Sequence, residues 1–204
     1  VFSIATAWGS YYYSDKIVLA SCKARPATKE EDLKLVHILD ALMISSGLPA
    51  RPRLYVVDDP QPNAFATGRN PEHSIICVTT GLLDKLEYYE LEGVIAHEMS
   101  HIKNYDILLT SVVTVMVGFL VMQMALSRNR EYLADSTAVE ITRNPDGLIS
   151  ALKKLDSDPN ELMTANKATA NLFIVSPFKA KKNGKRKAGL FDTHPSIDDR
   201  IEAL

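Results

Sequence analysis

The stretch His97-Glu98-Met99-Ser100-His101 constrains this chain more than any other. In a helix, residues four apart share a face. His97 and His101 therefore bring two imidazoles to one point, and Glu98 follows the first about 100° further round. The preceding residues, Leu91-Glu92-Gly93-Val94-Ile95-Ala96, are mostly apolar, so the helix belongs to the interior. Buried imidazole nitrogens need partners. Two histidines so placed can hold a metal, and the carboxylate beside them can reach water held there. Zinc lowers the pKa of such water to about 7, and a neighbouring carboxylate can take its proton as water attacks a peptide carbonyl.

A catalytic zinc usually takes three protein ligands. The candidate for the third is Glu131, in Ser127-Arg128-Asn129-Arg130-Glu131-Tyr132-Leu133-Ala134-Asp135. Glu131 and Asp135 are four apart and share a helix face. The first could bind metal and the second could accept a hydrogen bond from a ligand histidine. Taken alone, the pair would read as a solvated acidic face matched by Arg128 and Arg130. Taken with His97 and His101, the metal reading is the better one.

With these residues in view the chain resembles the HtpX family of membrane-bound zinc metallopeptidases, which is related to the CAAX prenyl-protein endopeptidases. The matching stretches cover nearly the whole chain. They are Tyr13 to Ile17, Pro60 to Gly68, Val78 to Leu83, Glu90 to Gly93 leading into the histidine helix, Arg130 to Asp135, and Thr193-His194-Pro195 with Arg200. The resemblance implies His97, His101 and Glu131 as ligands of one zinc per chain, and Glu98 as general base. It also implies His194 and Arg200 beside the metal, where a tetrahedral intermediate needs donors for its oxyanion.

Composition agrees without deciding anything. The 204 residues suit one domain with a good core. A net charge of −2 gives no global field toward nucleic acid. Cys22 and Cys77 are read as reduced thiols, since nothing resembles a disulfide framework or a cysteine metal site. Residues 1–8 are mostly apolar, with no basic start or cleavage site, and are expected to be the tail of a longer hydrophobic segment. Residues 9–204 are expected to form the metallopeptidase domain.

The local signals give an order of elements. Thr28-Lys29-Glu30-Glu31 is a capping box opening a helix with an apolar stripe of Leu33, Val36, Leu39, Leu42 and Met43, stopped by Gly47 and Pro49. Leu54 to Val57, Asn63 to Thr67 and Ile75 to Thr79 read as strands. Helices follow at Leu82 to Leu86, from Glu90 through the histidines, around Glu131 to Thr142, and near Leu148 to Leu155. Pro195 suits the first turn of a final helix.

Asn63, Ala64, Phe65 and Ala66 admit two readings of equal weight. They form an ordinary turn and edge strand, or they hold an extended peptide by strand addition, which uses main-chain bonds that do not read sequence. The basic run Lys179, Lys181, Lys182, Lys185, Arg186 and Lys187 reads first as a solvated loop. Beside a membrane it would stay on the cytoplasmic side and attract anionic lipid. Nucleic acid is disfavoured, because no aromatic residues interleave with the charges.

Residues 107–127 form a 21-residue run without charge. Length alone would make it a membrane span. A straight crossing of about 30 Å would put His101 and Glu131 on opposite sides of the bilayer, where they could not share a metal. The family has two hydrophobic spans between these motifs and this chain has room for about one. Either residues are missing from it, or the run folds back. The midpoint between His101 and Glu131 is residue 116, as is that between His97 and Asp135, so a hairpin turning near Gly118 is expected.

The sequence therefore predicts an α+β, mainly helical, zincin-like metallopeptidase with a short sheet beside the zinc helix and an apolar helical hairpin. The expected activity is a zinc-dependent endopeptidase acting on protein or peptide substrates, in contact with membrane lipid. The resemblance adds clearance of damaged or misfolded membrane proteins at the cell inner membrane, with the catalytic face in the cytoplasm. The alternatives are a catalytically silent client-binding module and a CAAX-type processing enzyme. An intact Glu98 argues against the first. The oligomeric state is not legible.

Overall fold

The structure is a computed structural model that describes residues 12–13, 15–108, 120–160, 162, 172–175 and 194–204. The elements run β1 (Arg25–Pro26), α1 (Lys29–Ser46), β2 (Arg53–Val57), β3 (Ala64–Gly68), β4 (Ser74–Thr79), α2 (Thr80–Lys85), α3 (Tyr88–Lys103), α4 (Leu120–Thr142), α5 (Pro145–Ser157) and α6 (Ile197–Ala203). Residues 15–21 and 106–108 are also helical. The fold is mainly helical with one small mixed sheet, as the sequence predicts.

Helix α1 shows how local chemistry sets boundaries. The Thr28 hydroxyl accepts from the Glu31 amide, and the Glu31 carboxylate accepts from the Thr28 amide. Gly47 ends the helix at φ +69°, a left-handed conformation that glycine adopts without strain. The buried stripe is Leu35, Ile38, Leu39, Leu42 and Ser46. The expected stripe was rotated from this one: Leu33 lies in solvent, 59% exposed. Spacing alone allows either stripe, and packing against α3 selects the one with Leu35 and Ile38.

The sheet order is β1-β2-β4-β3, with β2 and β4 parallel and the other two pairs antiparallel. Side chains alternate between faces. Leu54, Val56, Ala64, Ala66, Ile76 and Val78 join the main core with α1, α3 and α5. Val57, Phe65 and Cys77 point the other way, into a smaller core with Val18, Cys22, Leu172 and Phe173. Both cysteines are buried and neither forms a disulfide among the described residues, and burial pushes the Cys77 thiol up.

Helix α3 lies at the centre, packed by α1, α4, α5 and the sheet. Its residues from Gly93 to Ser100 are all buried, which is the pattern of a helix covered on every side. Gly93 permits the close crossing with α5, because a Cβ there would stand 2.7 Å from the Leu148 amide nitrogen. Glu90 clamps the same junction: its carboxylate accepts from Ser150 at 2.5 Å and Lys154 at 2.7 Å. These contacts fix the height at which the helix presents its histidines.

Three boundaries differ from the sequence reading. Helix α4 starts at Leu120 rather than near Glu131, because uncharged residues carry the helix upstream of the motif. Ser196 caps α6 by accepting from the Asp199 amide, so Pro195 precedes the cap instead of opening the helix. The two-residue β1 carries no sequence signal. The turn expected near Gly118, the tail 1–8 and the basic run 179–187 lie outside the described residues. Among the described residues no helix is long and apolar enough to cross a membrane.

Candidate metal centre

Helices α3 and α4 pack side by side and bring His97, His101 and Glu131 together. One ligand atom from each lies within 4.8 Å of the others. The two Nε2 atoms stand 3.2 Å apart. Glu131 Oε2 is 3.5 Å from His97 Nε2, and Glu131 Oε1 is 3.6 Å from His101 Nε2. Three ligand atoms facing one point, with Glu131 too far from either imidazole for a good hydrogen bond, suit a cation between them.

Each imidazole is held from behind. His97 Nδ1 lies 2.9 Å from Asp135 Oδ1, and His101 Nδ1 lies 3.0 Å from Asp106 Oδ2. A carboxylate on Nδ1 fixes the tautomer that leaves Nε2 free to bind metal. Asp135 was expected in this role. Asp106 was not, and sequence reasoning missed it. The chain leaves α3, passes Tyr105 at φ +60° and turns Asp106 back toward His101. An aspartate just past the histidine helix was the available signal, but the left-handed turn that returns it has no mark in the sequence.

Arg200 anchors this arrangement from α6. It is fully buried and grips Asp135 twice, Nε to Oδ2 at 2.8 Å and Nη2 to Oδ1 at 2.6 Å. Its Nη1 donates to the Ile174 carbonyl at 2.8 Å. Burial opposes the charge of Asp135, but Arg200 outweighs it and holds the carboxyl below its ordinary value. Burial likewise opposes a charged His97, yet the hydrogen bond to Asp135 and the nearby Glu131 carboxylate push it up to about 9.

Other groups at the site have no such partners. Both oxygens of Glu98 are buried and make no hydrogen bond among the described residues, and burial raises its carboxyl. Both ring nitrogens of His194 are likewise unbonded. His194 Nδ1 is 3.8 Å from Glu131 Oε2, so it acts on that carboxylate through charge rather than a bond. Burial works against the Glu131 charge too, but His194 and His97 draw its carboxyl well below the ordinary range.

The candidate peptide edge is partly engaged by the chain itself. β3 is an edge strand, yet all five of its residues are buried. The Ala64 carbonyl accepts from the Ile174 amide at 2.9 Å. The Asn63 side chain donates to the Val175 carbonyl at 2.9 Å. Phe65 meets Phe173 edge to face at 5.0 Å. Because Asn63 and Thr79 are bonded partners across β3 and β4, Ala64 and Ala66 both turn their main-chain groups outward. Ala66 is the part of the edge that this segment does not reach in the described residues.

With this geometry in place, the chain matches the pattern of Peptidase family M48 over residues 29–122 and 106–204. The chain belongs to this metallopeptidase family. The two matched pieces overlap over residues 106–122, which include most of the apolar run. It is 41% identical to a "Protease HtpX homolog" of Dictyoglomus thermophilum, over 96% of this chain and 76% of that protein. A relative of the same name from Caldanaerobacter subterraneus is 39% identical over 100% and 82%, and one from Listeria monocytogenes 37% over 98% and 84%. The fold is similar to that of S. mikatae Ste24p, with a TM-score of 0.62 at 18% identity. That likeness covers 100% of this chain and 56% of Ste24p. The M48 match makes the chain a protease and the triad a possible metal site of a metallopeptidase.

Proposed function

We propose that this protein is a zinc-dependent, membrane-associated endopeptidase that cleaves damaged or misfolded proteins. The observation that carries the reading is the contrast at the site. Three ligand atoms converge while each histidine is locked from behind, and the buried carboxylate of Glu98 beside them has no hydrogen-bond partner among the described residues. His97, His101 and Glu131 would hold the ion. When bound, zinc supplies Lewis acidity that lowers the pKa of water to about 7 and polarises a carbonyl.

Every other role falls to the chain. Glu98 takes the proton from the attacking water and passes it to the leaving nitrogen. Its raised affinity for a proton suits both halves of that transfer. His194, with unbonded ring nitrogens, donates to the oxyanion that develops on the substrate carbonyl. Asp135 and Asp106 keep the imidazoles oriented, and Arg200 holds Asp135. An extended peptide adds to the outer edge of β3 at Ala66, beyond the stretch closed by Ile174. Residues 107–127 contact lipid.

Metal analysis and casein cleavage test this side by side. Glu98→Gln should keep its zinc and lose hydrolysis by ~10²- to 10⁴-fold. Glu131→Ala should lose zinc as fully as His101→Ala does. Turnover retained in Glu98→Gln sinks the mechanism, and normal zinc content in Glu131→Ala removes it from the ligand set.

A further inference from the structure

A cavity of about 730 Å³ opens at the end of the sheet where β2 and β4 begin. None of its lining residues belongs to the metal centre. Cations reach it from three separate stretches of chain: Lys16, then Arg51 and Arg53, then Arg69. The carboxylates in its wall are Asp15 and Glu72, and His73 adds a titratable ring.

These cations are not equally matched. Arg51 lies 3.4 Å from Asp32 and 3.5 Å from Asp40, and Arg53 lies 3.7 Å from Asp15. Lys16 and Arg69 have no carboxylate within salt-bridge distance among the described residues. Each is instead held over a ring: the Lys16 ammonium is 5.3 Å from the Tyr13 centroid, and the Arg69 guanidinium 5.5 Å from that of Tyr12. A ring face steadies a cation without neutralising it. Two cations are thus fixed at one cavity with their charge unspent.

We propose that this cavity binds the phosphodiester headgroup of an anionic lipid, with Lys16 and Arg69 as the paired contacts. The guanidinium fork of Arg69 matches phosphate oxygens, and Lys16 supplies a point charge. The rim favours a lipid over a free anion. Tyr12, Tyr13 and Ile17 are 48%, 56% and 46% exposed, a cluster of amphipathic and apolar side chains suited to a headgroup layer. In the sequence, the mostly apolar residues 1–8 lie just upstream of Tyr12. This inference rests on the membrane association proposed above.

Co-sedimentation of the zinc-loaded chain with vesicles tests it. The vesicles are phosphatidylcholine alone, or phosphatidylcholine with phosphatidylglycerol. The double variant Lys16→Gln/Arg69→Gln should bind the phosphatidylglycerol vesicles roughly 10- to 30-fold more weakly, at about 1 kcal/mol per cation. It should keep its casein cleavage and its binding to phosphatidylcholine. The charge-matched control Lys29→Gln/Lys153→Gln, at exposed positions elsewhere, should change binding less than about twofold. An equal loss in the control assigns the attraction to net charge and overturns the site. Unchanged binding in the Lys16/Arg69 variant overturns it as well. A melting temperature that inorganic phosphate raises through Lys16 and Arg69, without a preference for anionic vesicles, gives the cavity to free phosphate instead. Failure to bind any vesicle would overturn the membrane association itself.

Discussion

Two halves of the site, a few residues apart, treat their buried polar groups in opposite ways. In the rear half every group is answered. Arg200 meets Asp135 and Ile174, Asp135 meets His97, and Asn63 meets Val175. In the front half, among the described residues, Glu98 and His194 are buried with no hydrogen bond from the protein, and Glu131 Oε2 has none either. Burying a polar group without a partner costs free energy, so native proteins keep such groups few. The rear half is built for rigidity. The front half leaves its groups available for the metal, water and substrate of the proposed function.

The sharpest way to break this comparison is to mutate one residue of each half and watch stability. Arg200→Ala removes the partner of a buried carboxylate and frees the Ile174 carbonyl. It should cost ~3–5 kcal/mol, the usual penalty for splitting a buried ion pair. Glu98→Gln lies on the neighbouring helix and is equally buried, yet it removes a carboxylate whose burial cost outweighs the favourable charges of His97, His101 and Arg200. Its melting temperature should match or exceed that of the parent in the metal-free protein. Thermal melts of both variants decide the matter. A loss of stability in Glu98→Gln as large as in Arg200→Ala would mean the two halves do not differ.

A smaller effect separates the two carboxylates that orient the histidines. Asp135 is tied to the buried Arg200, whereas Asp106 has the more exposed Arg130 beside it at 3.8 Å. Asp106→Ala should therefore weaken zinc binding by ~10- to 100-fold and leave the metal-free melting temperature nearly unchanged. Asp135→Ala should lose both affinity and stability. Competition against a zinc chelator, run beside the melts, resolves the pair. If Asp106→Ala binds zinc as the parent does, His101 needs no support from behind.

What could be read from sequence follows the same division. His97, His101, Glu131 and Asp135 were legible because each pair is four residues apart on one helix, and a helix turns spacing into geometry. Strands β2 and β4 were legible from their runs of β-branched and apolar residues, and the start of α1 from its capping box. Asp106 was hidden because its return depends on a left-handed turn at Tyr105. The engagement of Asn63 was hidden because its partner Val175 lies 112 residues away. The α1 stripe was misplaced because Leu33 and Leu35 are equally apolar, and only the facing helix chooses between them. Local rules reach ligands on one helix. They do not reach contacts made by folding.

The smallest expected effect lies outside the site and sets the scale for it. Arg25 on β1 bonds Glu31 of α1 twice at 2.8 Å and Asp58 at 2.7 and 3.0 Å. The hydrogen bonds from Arg25 pull the Glu31 carboxyl from an ordinary 4.5 down to about 2, against the opposing effect of burial. The lowered value is the folded one, so its stabilisation is complete above about pH 4.5. It drains as pH falls toward 2, where folded and unfolded chains hold the proton alike. Arg25→Ala should lower stability by only about 1 kcal/mol at pH 7, since Arg25 is 35% exposed and water screens the cluster. The difference from the parent should shrink steadily between pH 4.5 and 2 in denaturant titrations. A difference that stays constant through that window would place the contribution of Arg25 in packing rather than charge. It would also leave the buried Arg200 cluster as the only place where a guanidinium is predicted to set stability through its carboxylate.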